Sequence, residues 1–221
     1  MLRKFKDKHA GETCLIVGNG PSLKDAPLEL LSKYPSFGAN RVFLLEGFVP
    51  TYYTVIDEHM LHDCAEAWSG ENGFAPEAMF IRHPYPVPGS YQIRCEVAVG
   101  FSLDPAKEIF MGGTVTFANL QLAHYMGFKT VLLVGVDHHY PGMNGTRNHF
   151  PFVAKGNDID HFHPDYFSKG KIYAAPELEA TEIFYTLARK VYEKDGRKII
   201  NLTPGTKLNA LEKQTYKDWL K

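Results

Sequence analysis

Five histidines, His138, His139, His149, His161 and His163, crowd into one stretch from His138 to Ile172, together with Tyr140 and the carboxylates Asp158, Asp160 and Asp165. Imidazole is the side chain whose ordinary pKa lies nearest neutrality, so this stretch suits proton transfer to or from a hydroxyl. Metal binding is the other chemistry such groups can do. The run His161-Phe162-His163 does not put two ligands on one helix face, and no thiol stands nearby, so no metal site is expected there.

A second chemical signal lies near the amino terminus, in "CLIVGNGPSLKD" (Cys14 to Asp25). Its apolar opening reads as a buried strand that stops at a glycine breaker. Gly18 and Gly20 permit close approach of another group to the backbone, Pro21 fixes φ, and Ser22 or Asp25 can cap a helix beginning after the turn. A turn of this kind can aim backbone N–H groups at an anion. It is not a Walker loop, since it lacks a Gly-Lys-Ser/Thr ending, and it does not fit the dinucleotide fingerprint. A nucleotide is implied without being named.

These residues must be held by elements, and the chain alternates strand-like with helix-like runs, which predicts an α/β fold with a mostly parallel sheet. After the first strand, Pro27 to Tyr34 reads as a short helix, "SFGANR" and "TYYTVID" as strands ending near Asn40 and Asp57, Glu58 to Trp68 as a helix and "EAMFIR" as a strand. From His83 to Gly100, Pro, Gly and aromatic residues suggest a loop with a peripheral strand. "GGTVTFANLQLAHYMGF" enters a helix stopped at Gly127, "KTVLLVGVD" is the strongest buried strand, Pro176 to Asp195 is a helix, and "KIINLTPG" is the last strand and turn. The His138–Ile172 stretch has no apolar period and reads as a lid. The tail at about 209–221 reads as a docked C-terminal helix, with peripheral membrane contact as the alternative for its Trp219 and lysines. Parallel sheets collect ligands beyond their carboxyl strand ends. Those ends are Gly18 to Ser22, Asn40, Asp57, Asp137 to Tyr140 and Thr203-Pro204-Gly205-Thr206; Gly113 and Thr114, at the entry to the long helix, complete the expected nucleotide contacts.

With 221 residues, 13% aromatic and 22% charged, the chain is expected to form a single globular domain. A formal net charge of -1 offers no basic surface for nucleic acid. Three cysteines without a C-x-x-C pair and no secretory-type opening lead to the expectation of a cytoplasmic protein, with association at the inner membrane face and homo-oligomerisation left open.

Taken together, "IVGNGPSLK", "GAN", "TVTFANLQLAHYMGFKTVLLVGVDHHY" and "NLTPGTKL" resemble the family of the archaeal 6-hydroxymethylpterin diphosphokinase, and also the bacterial lipooligosaccharide sialyltransferases. The resemblance runs from Thr13 to about Leu208 and implies a Rossmann-like, sialyltransferase-like sheet. It further implies that Asn19, Gly20, Pro21 and Ser22 line the phosphate and ribose side of a nucleotide, with Asn40 as a second contact. In those sialyltransferases a lid histidine is the general base, a role that falls on His161 here, with His163 as fallback. A tyrosine there assists the leaving phosphate; this chain has Gly135, Val136, Asp137, His138 and His139 at the matching strand end, so His139 or Tyr140 takes that role.

The favoured expectation is a glycosyltransferase of surface polysaccharide assembly, moving a sugar from a nucleotide-activated donor such as a CMP-sugar to a glycan acceptor, with no cofactor. The alternative is an ATP-dependent 6-hydroxymethylpterin diphosphokinase, whose Mg²⁺ would fall to Asp57 and Asp137. A third reading is a nucleotide-binding accessory of glycan assembly without catalysis.

Overall fold

The computed structural model describes residues 2–64, 73–143 and 151–220. In chain order the strands are β1 (Thr13–Val17), β2 (Ser36–Ala39), β3 (Tyr52–Val55), β4 (Ala78–Arg82), β5 (Tyr91–Ile93), β6 (Cys95–Glu96), β7 (Ile109–Phe110), β8 (Thr130–Val134), β9 (Pro151–Val153), β10 (Ile172–Ala174), β11 (Lys198–Asn201) and β12 (Glu212–Lys213). The α-helices are α1 (Leu28–Lys33), α2 (Glu58–Asp63), α3 (Val115–Tyr125) and α4 (Leu178–Lys194). Eight strands form one sheet in the order β12-β11-β8-β1-β2-β3-β4-β5, and every pairing in it is parallel. β6 with β7, and β9 with β10, make two small satellite sheets.

Period-two alternation divides the core. In β1, Cys14 and Ile16 point to the face that α3 and α4 cover, while Leu15 and Val17 point to the face covered by α1, α2 and the segment around β9 and β10. β8 repeats the pattern, with Val131 and Leu133 on the first face and Leu132 and Val134 on the second. Buried on both faces, these strands carry the continuous apolar runs expected of a parallel sheet. Helix α3 is buried from Thr116 to Tyr125, so it has no polar stripe to mark its orientation in the sequence. Its start is fixed by Thr114, whose hydroxyl accepts from Thr116 N, and its end by Gly127 at φ +90°.

Strand order reverses between β1 and β8: the chain runs outward from β1 through β5, then returns to β8 on the other side of β1. The two strand ends touch. Gly18 N donates to Val134 O at 2.7 Å and Gly20 N to Gly135 O at 2.9 Å. A Cβ on Gly18 would lie 2.5 Å from Gly135 O, and one on Gly20 would overlap the Asp137 carboxylate. That carboxylate accepts from Ser22 N at 3.2 Å and from Ser22 Oγ at 2.8 Å, clasping the β1 turn to the end of β8. On its other flank, β8 is supported by Thr203 Oγ1, which accepts from Val136 N at 2.9 Å, and by Thr206 Oγ1, which donates to Val136 O at 2.8 Å.

The tail differs from the helix expected at about 209–221. It forms β12 and a three-residue 3-10 turn, Tyr216–Asp218. The physical reason is where its apolar side chains go. Leu208, Ala210 and Leu211 enter the core on the α3/α4 face, whereas Tyr216, Trp219 and Leu220 pack on the opposite face. One helix cannot deliver neighbouring side chains to both faces of a sheet; a chain wrapping its edge can. The expected helix from Glu58 to Trp68 is seen as Glu58–Asp63, and positions 65–68 lie outside the described residues.

The wrapped tail and the Asp137 clasp each carry a stability consequence. Leu208 is fully buried, so Leu208→Ala should lower unfolding stability by about 2–5 kcal/mol, and half-buried Trp219→Ala by less, read as urea midpoints. Equal losses would contradict the wrapped tail. Burial raises the Asp137 carboxyl, with the Ser22 bonds opposing it. An acid more easily protonated when folded makes the native state bind more protons than the unfolded chain, so stability falls as pH rises from about 4, the unfolded value, through the raised folded one. Asp137→Asn lacks that fall, and its Tm relative to the parent should therefore rise with pH across that window. A constant Tm difference at all pH values would show that Asp137 does not titrate abnormally.

Candidate functional site

Beyond the carboxyl ends of β8, β1, β2, β3 and β4 lies a cavity of about 460 Å³. Its floor is built from Gly18, Asn19 and Gly20 after β1, Asn40 after β2, Asp57 after β3 and Asp137 after β8. Gly113, Thr114, Val115 and Thr116 bring the amino-terminal end of α3 to its wall, and Tyr140, Asp160, His161 and Tyr166 close it from the lid segment. Its position is the switch point between β1 and β8, where a crevice must open because successive connections leave on opposite sides.

Two asparagines at the floor hold unused hydrogen-bonding capacity. Asn19 Nδ2 donates to Ala39 O at 3.2 Å, which fixes the amide orientation and leaves Oδ1 buried and without a partner. Asn40 adopts φ +52°, a conformation asparagine tolerates better than most residues. Its carbonyl accepts from the Tyr53 hydroxyl, its Nδ2 lies 3.4 Å from the Tyr166 hydroxyl, and its Oδ1 has no partner. Buried acceptors left unpaired are unfavourable and call for a donor.

The lid has internal structure that its sequence does not announce. β9 and β10 pair antiparallel with Phe152 opposite Tyr173. Arg41 Nη1 donates to the carbonyls of Asp165 at 2.8 Å and Tyr166 at 3.1 Å and to Ser168 Oγ at 2.8 Å. Asp63 receives Lys171 Nζ at 3.0 Å and the Tyr173 hydroxyl. Most directly, Phe162 N donates to Asn19 O at 3.0 Å, tying the lid backbone to the β1 turn.

That tie sets His161 beside the turn. Its ring stacks on Tyr166 at 3.8 Å and meets Phe167 edge-on, and its Nδ1 lies 2.8 Å from Asp158 Oδ2. A carboxylate only accepts, so Nδ1 carries the proton and Nε2 is the nitrogen left for proton exchange. Imidazole held by a buried carboxylate on one side and free on the other is the arrangement of an oriented general base. Tyr140 also lines the cavity, and burial holds its hydroxyl well above the ordinary phenol range, so it stays a donor. Asp160, with its carboxyl raised by burial, accepts from Gly142 N at 2.7 Å.

Of the sequence-derived candidates, Gly18, Asn19, Gly20, Asn40, Asp57, Gly113, Thr114, Asp137, His139, Tyr140 and His161 line the cavity. Pro21 and Ser22 stand behind it, Pro21 opening a 3-10 turn and Ser22 bonded to Asp137. Thr203, Pro204 and Thr206 are not at the cavity, because β11 lies on the side of β8 away from β1; the two threonines buttress β8 and Pro204 is exposed. His163 is not a lining residue either; its Nδ1 accepts from Asp165 N at 3.2 Å. His138 lines the cavity with Nε2 3.1 Å from Glu182 Oε2, and His149 lies outside the described residues. Among the described residues no three His, Cys, Asp or Glu side chains converge as a metal site. Sequence reasoning missed Asn119, Thr116, Arg82 and Tyr185 at the wall, and Asp158 as the partner of His161.

Comparison with solved structures finds the sialyltransferase CstII from Campylobacter jejuni in complex with cytidine-5'-monophosphate at a TM-score of 0.57 and 14% identity, covering 92% of this chain and 85% of that one. CstII in complex with a trisaccharide acceptor and CMP aligns at a TM-score of 0.52 and 13% identity, over 91% of this chain and 85% of that one. At such identities the shared property is the fold. No curated protein matches the sequence. Among the described residues, no helix is long and apolar enough to cross a membrane. The family model for 6-hydroxymethylpterin diphosphokinase MptE-like proteins matches residues 1–142, which take in the whole β1 turn, Asn40, Asp57, α3 and the end of β8, and the chain belongs to that family.

Proposed function

We propose that the protein is a transferase that moves a sugar from a nucleotide-activated donor, with a CMP-sugar as the first candidate, onto a hydroxyl of a glycan acceptor. The observation that carries this reading is the join between the two halves of the cavity: the backbone beside His161 is bonded to the asparagine of the β1 turn. A base and a nucleotide-sized pocket are thereby held in one geometry.

In this reading the nucleotide lies over the floor, where hydroxyl donors of a ribose satisfy Asn19 Oδ1 and Asn40 Oδ1. The positive end of the α3 dipole, at Thr114 and Val115, faces the phosphate, while Thr116 N and Phe117 N stay bonded to Thr114. The acceptor hydroxyl attacks the anomeric carbon as the glycosidic C–O bond to phosphate breaks, and its proton passes to His161 Nε2. Asp158 holds the imidazole in the receptive tautomer and steadies the imidazolium that forms. Tyr140, kept protonated by burial, donates to the departing phosphate.

Pyrophosphoryl transfer to a hydroxymethylpterin is the second reading, favoured by the family match. It asks for Mg²⁺, and the candidate ligands are Asp57 and Asp137. Asp57 Oδ1 already accepts from His59 N at 2.8 Å to cap α2, and both Asp137 oxygens hold Ser22. Each carboxylate keeps acceptor capacity beyond these bonds, so Asp57 and Asp137 are the residues that would hold the ion in this reading. A hydroxyl nucleophile and an oriented base serve either chemistry, which is why the metal test separates them.

With CMP-sugar donors, His161→Ala should lower turnover by about 10²-fold or more while nucleotide affinity changes little, and Asp158→Asn should lower it by a smaller factor. Full turnover in His161→Ala would remove the histidine from the chemistry. Asn19→Ala should weaken nucleotide binding with the fold intact, measured by calorimetry beside circular dichroism; unchanged affinity would mean the turn is only structural. Treatment with EDTA should leave transfer nearly unaffected. Abolition by EDTA with rescue by Mg²⁺, using ATP and hydroxymethylpterin, would instead select the second reading.

A further inference from the structure

Helix α3 is buried from Thr116 to Tyr125, yet four residues in that stretch, Thr116, Asn119, Gln121 and His124, carry polar side chains. Gln121 and His124 have partners. Gln121 Oε1 accepts from Ser102 N at 2.9 Å and Phe110 N at 3.0 Å, and its Nε2 donates to the carbonyls of Phe110 at 2.8 Å and Phe117 at 3.1 Å. His124 Nε2 pairs with Asp195 Oδ2 at 2.8 Å. Asn119, with 0% of its surface exposed, has a partner for neither Oδ1 nor Nδ2. Unlike Gln121 and His124, it lines the cavity.

A carboxamide in a protein core that makes no bond is unfavourable by the desolvation of both its groups, and an apolar residue of the same branching would serve the packing better. Its donor and acceptor stand side by side. The complementary ligand edge carries an adjacent acceptor and donor, as an amide or amidine in a nitrogen heterocycle does, and asparagine meets such edges two bonds at a time. Ribose hydroxyls and phosphates lack that pairing on one rigid edge.

We propose that Asn119 reads the heterocycle of the bound ligand, forming two hydrogen bonds to an amide-like or amidine-like edge after a side-chain rotation turns its carboxamide out of the wall. This rests on the nucleotide-binding reading above and adds the part of the ligand that α3 recognises. Thr116, one turn earlier on the same face, lines the cavity beside it. The phosphate end and the heterocycle end of the ligand are then both held by α3, at its first turn and at its second.

Calorimetric titration of the full chain with CMP, UMP, AMP and GMP, and with ribose 5-phosphate as the base-free probe, tests the assignment. The parent should bind at least one nucleotide about 10-fold or more tightly than ribose 5-phosphate. Asn119→Leu, equal in heavy atoms and branching, should lose that advantage by about 10-fold while ribose 5-phosphate affinity stays unchanged. Its ligand-free urea midpoint should match or exceed the parent's, because two unpaired groups are gone. Asn119→Ala, which only removes atoms, should show the same loss of base preference. Retained base preference in both variants overturns the assignment and leaves the nucleotide reading standing. A parent that binds neither nucleotides nor ribose 5-phosphate overturns both. Failure of both variants to fold, or a lowered midpoint in Asn119→Leu, would show that the carboxamide serves the core, and would also overturn it.

Discussion

The contact between the ends of β1 and β8 is the constraint on which the rest of the cavity depends. Two backbones cross there closely enough that a side chain on Gly18 or Gly20 would collide with Gly135 or the Asp137 carboxylate. The crossing is closed by three kinds of bond at once: backbone to backbone from Gly18 and Gly20, carboxylate to Ser22, and the threonines of the β11 turn behind β8. Asp137 enters the site as a clasp before it enters as a charge. Loss of that clasp would free the turn that holds Asn19, and with it the attachment point of the lid.

The lid adds a second layer of constraint. Arg41, on the loop after β2, gathers two lid carbonyls and a serine hydroxyl, so a single guanidinium couples Asn40 to the segment carrying His161. The stacking of His161 on Tyr166, with Phe167 edge-on beside it, removes the rotational freedom that would otherwise blur the position of a loop histidine. Ordering so many groups above a polar cavity is entropically unfavourable, and the unpaired amide oxygens beneath them are acceptors that a ligand's donors can satisfy.

Much of the fold is legible in the sequence because a parallel sheet buried on both faces writes itself as apolar runs, as in "CLIV" and "TVLLV". α3 is readable from its caps alone, Thr114 and Gly127, since uniform burial erases its period. The tail is not readable, because apolar spacing cannot report that Leu211 and Trp219 lie on opposite faces of a sheet. In the site the strand-end rule brings out Gly18 to Gly20, Asn40, Asp57 and Asp137 as cavity residues, and does not do so for Pro21, Ser22 or Thr203 to Thr206, because it does not say which strand ends face the switch point. The partnership of Asp158 with His161 is hidden among several carboxylates of similar spacing. Asn119 leaves one trace, a polar residue in a run otherwise fit for burial, which Gln121 imitates two positions on with a purely structural role.

The family match and the lid divide the chain at a chemically meaningful place. Residues 1–142 hold the floor, the amino-terminal end of α3 and Tyr140; Asp158 and His161 come after them. A floor with unpaired acceptors and a helix terminus suits any nucleoside phosphate, whether the group that leaves with it is a sugar or a pyrophosphate. What distinguishes the two chemistries is how charge on the leaving oxygens is met. Here the cavity offers the half-buried Tyr140 phenol, the amino-terminal end of α3 and Arg82, whose charge is already paired with Glu58 at 2.8 Å, and its carboxylates Asp57 and Asp137 each hold a turn. A nucleoside monophosphate leaving group carries less charge than a transferring pyrophosphoryl group, and neutral donors suffice for it more readily. In the proposed transfer the segment after residue 142 supplies the acceptor's base, and the floor before it meets the phosphate of the donor.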